Sequence, residues 1–427
     1  MLDIKFIREN PDKVKENLKK KFQDEKIEKV DELLKKDTKY RELLQKSEKL
    51  RAERNNLTAD INKAKKEGKD VKPIITKAKK IPDQIKEIEE TQNKLKEDIK
   101  ELLYQIPNMI HKSVPIGKND KENVEKEVIG KPKDFSFEVK SHVEIAENLQ
   151  IADFDTSAKT SGNGFYYLKG DLALLNMALV NYARDYMVKQ DYQYIEPPLM
   201  IRKEILTGVY SHSEINEMAY KIEDEDLYLI ATSEHPLIGM FINKIIKKED
   251  LPIKITGFSA CFRKEIGSHG IDEKGLYRTH QFNKQEMVVI CEPEDSYKFY
   301  DEMNKHSKAV FKGLGLPIRE LECCSGDLAD LKAKSCDLEV WSPRKKEYFE
   351  VTSLTNMEAA QARRLNIKVT DGKEKYFAHT LNNTVIATSR AMVAILENYQ
   401  NKDGSVTIPK ALVKYMGGKT KIEAKKE

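Results

Sequence analysis

Cysteine is scarce in this chain: five among 427 residues, at positions 261, 291, 323, 324 and 336, with no CxxC pair. That argues against a disulfide scaffold or a cysteine-based zinc site, and it suits a reducing, cytoplasmic setting. Tryptophan occurs once, as Trp341, and reads as core rather than ligand. Long apolar runs are missing: nothing approaches the roughly 18 uncharged apolar residues of a membrane-spanning helix, so no membrane partner is expected. The opening MLDIKFIREN carries charge where a secretory leader would be apolar, so none is expected. Charge of one sign is lacking too. The 75 Lys and Arg nearly balance the 71 Asp and Glu, for a net of +4, and so small a sum hides local asymmetry.

Aromatics are absent between Tyr40 and Tyr104, so this stretch cannot build an ordinary globular core. It can build a coiled coil. Leu43, Leu50, Leu57 and Ala64 recur every seven residues, interleaved with Ser47, Arg54 and Ile61. A second stripe has Ile81, Ile88, Leu95 and Leu102, interleaved with Ile85, Gln92 and Ile99. Two stripes separated by Gly68 and Pro73 predict an antiparallel helical hairpin. Its first arm, over 41–66, would extend roughly 40 Å. Pro82 should kink the second arm or mark its start. Residues 63–80 hold eight Lys against Glu67 and Asp70. This is either a solvated tip or a phosphate-binding surface gaining affinity from counterion release.

The expected organisation is a helical hairpin over 1–110, a Pro- and Gly-containing linker over 111–135, a globular domain over 136–416 and a disordered tail over 417–427. An amphipathic helix is predicted over 172–190. Strands are predicted at 228–232, 253–265, 281–291, 336–341 and 347–354, mostly with short connections. This pattern favours an α+β fold: an antiparallel sheet flanked by helices, preceded by the hairpin.

The strand over 258–266 followed by the strand over 278–290 is the most informative stretch. Its connection carries Gly267, Gly270 and Gly275 and reads as a long flexible loop. Side chains two apart share a strand face. Arg263 and Glu265 therefore point one way, as do Arg278, His280, Phe282, Lys284 and Glu286 on the return strand. Phe258, Ala260 and Phe262 would face a core. A charged strand face is ordinarily just solvated. Here an aromatic ring lies among acids and bases beside a glycine-rich loop. Phe282 could stack on a purine, Arg263 could grip a carboxylate or phosphate, and Glu286 could take an ammonium group. The set suits a nucleotide and an amino acid together.

FRKEIGSHGIDEKGLYRTHQFNKQEM resembles motif 2 of the class II aminoacyl-tRNA synthetases, and within them the seryl-tRNA synthetase family. ATSEHPL (231–237) is similar to that family's TxE element, and YIEPPLM (194–200) to motif 1. LEVWSPRKKEYFEVTSLTNMEAAQARR resembles the stretch before motif 3, and HTLNNTVIATSRAMVAILENYQ (379–400) motif 3 itself. Several long motifs in order, over essentially the whole chain, are far more specific than one short motif. LNNTV replaces the LNGSG of bacterial members, and Ser389 their Gly before Arg390, so the resemblance is closer to archaeal and eukaryotic members.

The resemblance implies a ligase that activates serine with ATP and transfers it to tRNA-Ser, and it admits tRNA-Sec beside it. Arg263, Glu265 and Arg390 would be catalytic. Arg263 would bridge α-phosphate and carboxylate, and Arg390 would meet the γ-phosphate or adenine. ATP would further meet Lys264, Thr279, His280, Gln281, Phe282, Glu350, Val351, Thr352 and Ser353. Mg²⁺ would sit at Glu350 and Ser353, whose three-residue spacing demands a bend or strand end. Thr232, Ser233, Glu234, Arg263, Glu286, Asn382 and Thr384 would bind serine. Alanine would be rejected for want of a hydroxyl, and threonine by bulk.

Lys65, Lys66, Lys69, Lys72, Lys77, Lys79 and Lys80 would bind the long variable arm of the tRNA. Motif 1 implies a homodimer, with the hairpin of one subunit serving tRNA at the other active site. Zinc, used by a variant of this synthetase in some methanogens, is not expected. His111, His142, His212, His235, His269 and His306 read as structural or surface residues. Two other readings have the sequence against them. A carrier-protein-loading paralogue would lack the long arm. A decayed, non-catalytic RNA-binding protein would not keep Arg263, Glu286, Glu350 and Arg390.

Overall fold

In the computed structural model, residues 1–210, 212–265 and 274–424 are described. Gly267, Gly270, His269 and the last three residues lie outside them, as do the side chains of His212 and Ser213. The chain divides into two compact units, Met1–Pro107 and Asn108–Glu427.

The first unit is helical. Short helices α1 (Ile4–Glu9) and α2 (Pro11–Lys20) precede the long α3 (Ile27–Lys66) and α4 (Lys72–Gln105). The buried seam of α3 runs back beyond Leu43 and shifts by one position from the heptad stripe at Val30 and Asp37. Val30, Leu33 and Asp37 are buried on the same seam, so α3 begins well before residue 41. Asp37 is tolerated there because Arg8 and Arg41 meet its carboxylate at 3.3 and 3.0 Å. The second stripe is buried at Ile81, Ile85, Ile88, Leu95 and Leu102. Across the seam Arg51 meets Glu89 at 2.6 Å, Lys36 meets Asp98 at 2.7 Å, and Gln92 Nε2 donates to the Ser47 hydroxyl. Pro82 does not start the second arm. The start is set by Pro73 in the first turn, with the Asp70 carboxylate accepting from Lys72 N–H. Pro82 sits inside the helix on its exposed side, where the seam residues around it keep the helix running. All seven candidate tip lysines are exposed. Two of them are paired, Lys69 with Glu67 and Lys77 with Glu53.

The second unit is α+β. Its main sheet contains β1 (Val124–Ile129), β2 (Gln193–Ile195), β3 (Ile253–Phe262), β4 (Gln281–Cys291), β5 (Ile318–Glu322), β6 (Lys334–Ser342), β7 (Glu347–Glu358) and β8 (His379–Ala387). Their spatial order is β1-β5-β6-β7-β8-β4-β3-β2. Neighbours are antiparallel except β2 with β3. The helices are α5 (His142–Asn148), α6 (Phe154–Thr160), α7 (Gly170–Val188), α8 (Lys203–Val209), α9 (His212–Met218), α10 (Glu234–Gly239), α11 (Ser296–Gly313), α12 (Ala360–Leu365) and α13 (Thr388–Asn398). No helix among the described residues is long and apolar enough to cross a membrane.

The second half of β4, MVVIC, is apolar at every position because both faces of the sheet are covered there. Met287, Val289 and Cys291 enter one core with residues of α5, α7, α11 and α13. Val288 and Ile290 enter a second core with residues of α8, α10 and α12. The first half of β4 has no such cover on the second face, and Phe282, Lys284 and Glu286 look into a cavity there. On the reverse face Phe258, Ala260 and Phe262 are half-buried rather than core. They lie toward the β2 edge of the sheet, away from the positions that feed the two cores.

Two boundaries also differ from expectation. The supposed linker carries β1, an edge strand of the main sheet, and Asn123 accepts from Cys324 N–H at 2.9 Å. Its unpatterned polar sequence reflects a strand exposed on both faces. The tail is ordered to residue 424: Lys421–Ile422 pairs with Val406–Thr407, and Ile422 is buried in the larger core. Trp341 on β6 is half-buried, edge-on to Tyr348 at 5.1 Å. All five cysteines are free and buried.

At Gly208, α8 comes so close to α12 that a Cβ would lie 2.2 Å from Leu365 Cδ2. Gly208→Ala is therefore expected to cost about 1–3 kcal/mol, measured as a lower denaturant midpoint at unchanged slope.

Candidate active site

The cavity beside β4 has a volume of about 330 Å³. Strand register builds its floor. Glu286 pairs with Gly257 on β3 and with Thr384 on β8: a Cβ at Gly257 would meet Leu237 of α10 at 3.0 Å, so glycine lets α10 close over β3, while on the other side a hydroxyl faces the carboxylate. Glu286 Oε1 accepts from the Thr232 hydroxyl at 3.2 Å and the Thr384 hydroxyl at 3.1 Å, and it contacts Lys284 Nζ. Three donors converge on one oxygen, which fixes the buried carboxylate in place.

Glu234, at the start of α10, is held in the same way. Its Oε1 accepts from Gln361 Nε2 at 2.9 Å and Asn382 Nδ2 at 3.0 Å. The Thr380 hydroxyl donates to Gln361 Oε1 at 2.8 Å, so the amide must present its NH₂ to Glu234. Ser233 does not line the cavity. Its hydroxyl donates to Gly257 O at 2.8 Å and pins the α10 turn to β3.

Arg263 and Glu265 lie just beyond the end of β3 and reach the cavity. Arg263 N–H donates to His280 O, its Nε donates to Ala231 O at 3.2 Å, and its guanidinium lies 5.2 Å over the Phe282 ring. Glu265 has a left-handed backbone, φ 49°, and meets Arg278 at 3.4 Å. Thr279 and Phe282 line the cavity; Lys264, His280 and Gln281 do not. His280 is engaged elsewhere. Its Nδ1 bonds Arg263 O at 2.9 Å and its ring packs on Phe165, so it braces the hairpin.

Opposite, the β6–β7 register shifts between Leu338 and Glu339. This irregularity supplies the bend that Glu350 and Ser353 require: both reach the cavity with Val351, while Thr352 is buried away from it. A second shift lies between Thr384 and Ile386 on β8. It precedes α13, whose third residue is Arg390. Arg390 Nη1 donates to Glu350 O at 2.8 Å and meets its carboxylate at 3.1 Å. The same guanidinium lies 5.3 Å over Tyr277.

The lining alternates in sign. Arg263, Lys284, Lys332 and Arg390 stand among Glu234, Glu265, Glu286 and Glu350. Lys332, Tyr277 and Tyr210 also line it but were not singled out from sequence, and His235, read there as structural or surface, lines it as well. Lys332 sits in an unpatterned loop, and Tyr210 follows α8, so neither carries a local signal. Burial holds His235 neutral, down to about 3. Burial opposes ionisation of Glu350, but Arg390 together with Lys332 and Lys284 holds the carboxyl below its usual range. Burial, with Glu350 nearby, pushes Asp337 up. Cys323, Asp327 and Asp337 bring ligand atoms within 4.8 Å of one another. Burial pushes the Cys323 thiol up.

Burial, and then Glu286, push Glu234 from 4.5 up to about 7. The unfolded chain then releases this proton at lower pH than the folded one, so the group costs stability as pH rises from 4.5 toward 7. Replacing it by Gln removes that cost. The stability of Glu234→Gln relative to wild type should rise by on the order of 2 kcal/mol between pH 5 and pH 8, measured by denaturant unfolding of ligand-free protein. A pH-independent difference would show an ordinary carboxyl.

Two family models match the chain: the seryl-tRNA synthetase N-terminal domain over residues 1–110, and the tRNA synthetase class II core domain (G, H, P, S and T) over residues 220–399. A serine–tRNA ligase of Methanospirillum hungatei is 46% identical over 422 residues, covering 98% of this chain and 99% of the relative. The crystal structure of seryl-tRNA synthetase from Pyrococcus horikoshii complexed with ATP is similar at TM-score 0.96 and 41% identity, covering all of both chains. The cytoplasmic serine–tRNA ligase of Naegleria fowleri in complex with AMP is similar at TM-score 0.90 and 32% identity, covering 100% of this chain and 99% of that one. With both its helical arm and its charged cavity matched along nearly the full length of these proteins, the chain belongs to the seryl-tRNA synthetase family of class II aminoacyl-tRNA synthetases.

Proposed function

We propose that the cavity forms seryl-adenylate from L-serine and ATP and then passes serine to the 3′-terminal adenosine of tRNA-Ser. The observation that carries this reading is the pair of fixed carboxylates, Glu234 and Glu286, beside the Arg263–Phe282 stack and Arg390. In the first step a serine carboxylate oxygen attacks the α-phosphorus, a new O–P bond forms, and diphosphate leaves. In the second, a ribose hydroxyl of the tRNA attacks the carbonyl carbon and AMP leaves. Both steps demand positioning and charge neutralisation more than covalent chemistry from the protein.

Arg263 lies where it can hold both the attacking carboxylate and the α-phosphate. Its place over Phe282 leaves that ring's neighbourhood to adenine, with Glu265 and Thr279 on the same side. Arg390 takes the far end of the nucleotide. Glu286, its Oε1 already saturated, turns its other oxygen to the serine ammonium, with Thr232 beside it. Glu234, Asn382 and Thr384 surround the serine hydroxyl. Glu350 and Ser353 offer oxygen donors only, and Asp337, paired with Ser353 in the sheet, has a buried Oδ1 that finds no hydrogen-bond partner among the described residues. This set fits Mg²⁺, which would neutralise phosphate charge there.

The exposed lysines at the arm tip suit the backbone of a tRNA variable arm, read by shape. Exposed Leu174, Met177, Leu199 and Met200 lie on α7 and in the motif 1 segment, where a homodimer would bury them. Five buried free thiols suit the cytoplasm.

The direct test is ATP–diphosphate exchange without tRNA, with Mg²⁺, across all twenty amino acids. Serine alone should support it, and alanine and threonine should fail. No exchange from folded protein, or exchange equal with another amino acid, would overturn the reading of the pocket. Reversing the charge of Lys65, Lys66, Lys79 and Lys80 together should weaken tRNA charging at least tenfold and leave serine-dependent exchange intact. Loss of both activities would contradict a separate tRNA-binding arm.

A further inference from the structure

His142 lies outside both matched family models and every motif. It opens α5 and is 4% exposed. Ser141 and Glu144 form a capping box ahead of it, so its backbone is fixed. A buried histidine at a helix start ordinarily fills space, but this one engages both ring nitrogens. Leu276 N–H donates to Nε2 at 3.2 Å. Nε2 must then carry the lone pair and Nδ1 the proton, and Nδ1 faces Glu397 Oε1 at 3.5 Å. Glu397 is itself buried, and its other oxygen accepts from the Ser342 hydroxyl at 2.5 Å.

These partners have consequences for the cavity. Glu397 lies seven residues after Arg390 on α13, two turns along the same face. Leu276 precedes Tyr277, whose ring lies beneath Arg390 and packs edge-on against Phe349 at 5.5 Å. The imidazole thus ties the backbone beneath Arg390 to the helix that carries Arg390. The residues just before are fixed to the same place. Lys274 meets Glu147 of α5 at 2.7 Å and Asp155 of α6 at 3.1 Å. Gly275, at φ 124°, lies so close that a Cβ would be 2.4 Å from His142 Nε2. Three consecutive residues are therefore held against α5.

We propose that His142, backed by Glu397, is a positioning residue for the nucleotide: it fixes residues 276 and 277 so that Arg390 is held ready where ATP binds. This rests on the reading of Arg390 as an ATP ligand. Thr232, Glu234 and Glu286 come from other elements, and among the described residues they make no direct hydrogen bond to His142, so serine binding is expected to be spared.

The test is serine-dependent ATP–diphosphate exchange by the full chain, with KM measured separately for ATP and serine. His142→Leu should raise the ATP KM about tenfold, the scale of one lost hydrogen bond, and leave the serine KM within about twofold. His142→Gln, whose amide oxygen can accept from Leu276 N–H, should recover most of the loss. Should His142→Leu not fold, Glu397→Gln carries the test, with a smaller rise in the same direction. Folded variants with an unchanged ATP KM, or with both KM values raised equally, would overturn the proposal. Arg390→Ala separates the two levels: if it leaves the ATP KM unmoved, the ATP reading of Arg390 fails; if it moves and His142→Leu does not, only the role of His142 fails.

Discussion

The register of β4 between β3 and β8 is the constraint on which the rest of the site depends. It places Glu286 opposite Gly257 and Thr384, and so decides what surrounds the buried carboxylate. A slip of one residue would turn Glu286 into the larger core and Met287 into the cavity. The two cores prevent this. Met287, Val289 and Cys291 are locked into one, Val288 and Ile290 into the other, so the apolar half of the strand anchors the polar half. Stability and site geometry are set by the same alternation along a single strand.

Departures from regular pairing do the remaining work. The shift at Leu338/Glu339 lets Glu350 and Ser353 share a face, and the shift at Thr384/Ile386 precedes the helix that brings Arg390 to Glu350. A perfectly regular sheet would carry the same residues and send some of them to the wrong side.

The sequence made the fold legible where patterns repeat. Heptads announced the arm, and two-residue alternation announced the hairpin of β3 and β4. It misled where one residue was read without its surroundings. Pro82 suggested a kink or a helix start, and of these the start is ruled out, because the helix begins at Lys72 and runs through it. The segment 111–135 looked like a linker because an edge strand exposed on both faces needs no apolar alternation. The tail looked disordered because its order rests on one short pairing and one buried side chain, Ile422. In the site, Arg263, Glu265, Phe282, Lys284 and Glu286 were readable by parity along the hairpin, whereas Thr232, Glu234, Glu350, Ser353, Asn382, Thr384 and Arg390 were reached only through the resemblance to the family's motifs. His280 has the right parity but is captured by Arg263 O and Phe165. Lys332 and Gln361 could not be found, because one sits in an unpatterned loop and the other acts through Glu234.

The placing of aromatic rings has an optical consequence. The only Trp, Trp341, lies on β6 beside Tyr348, and the arm holds no aromatic residue between Tyr40 and Tyr104. Tryptophan emission therefore reports on the catalytic unit alone, and most of the arm is dark in the near ultraviolet. The arm contributes two of the longest helices, so it weighs heavily in far-ultraviolet dichroism. Nature has in effect labelled the two units with different spectroscopic colours, and melting followed at both wavelengths would distinguish them without any added dye.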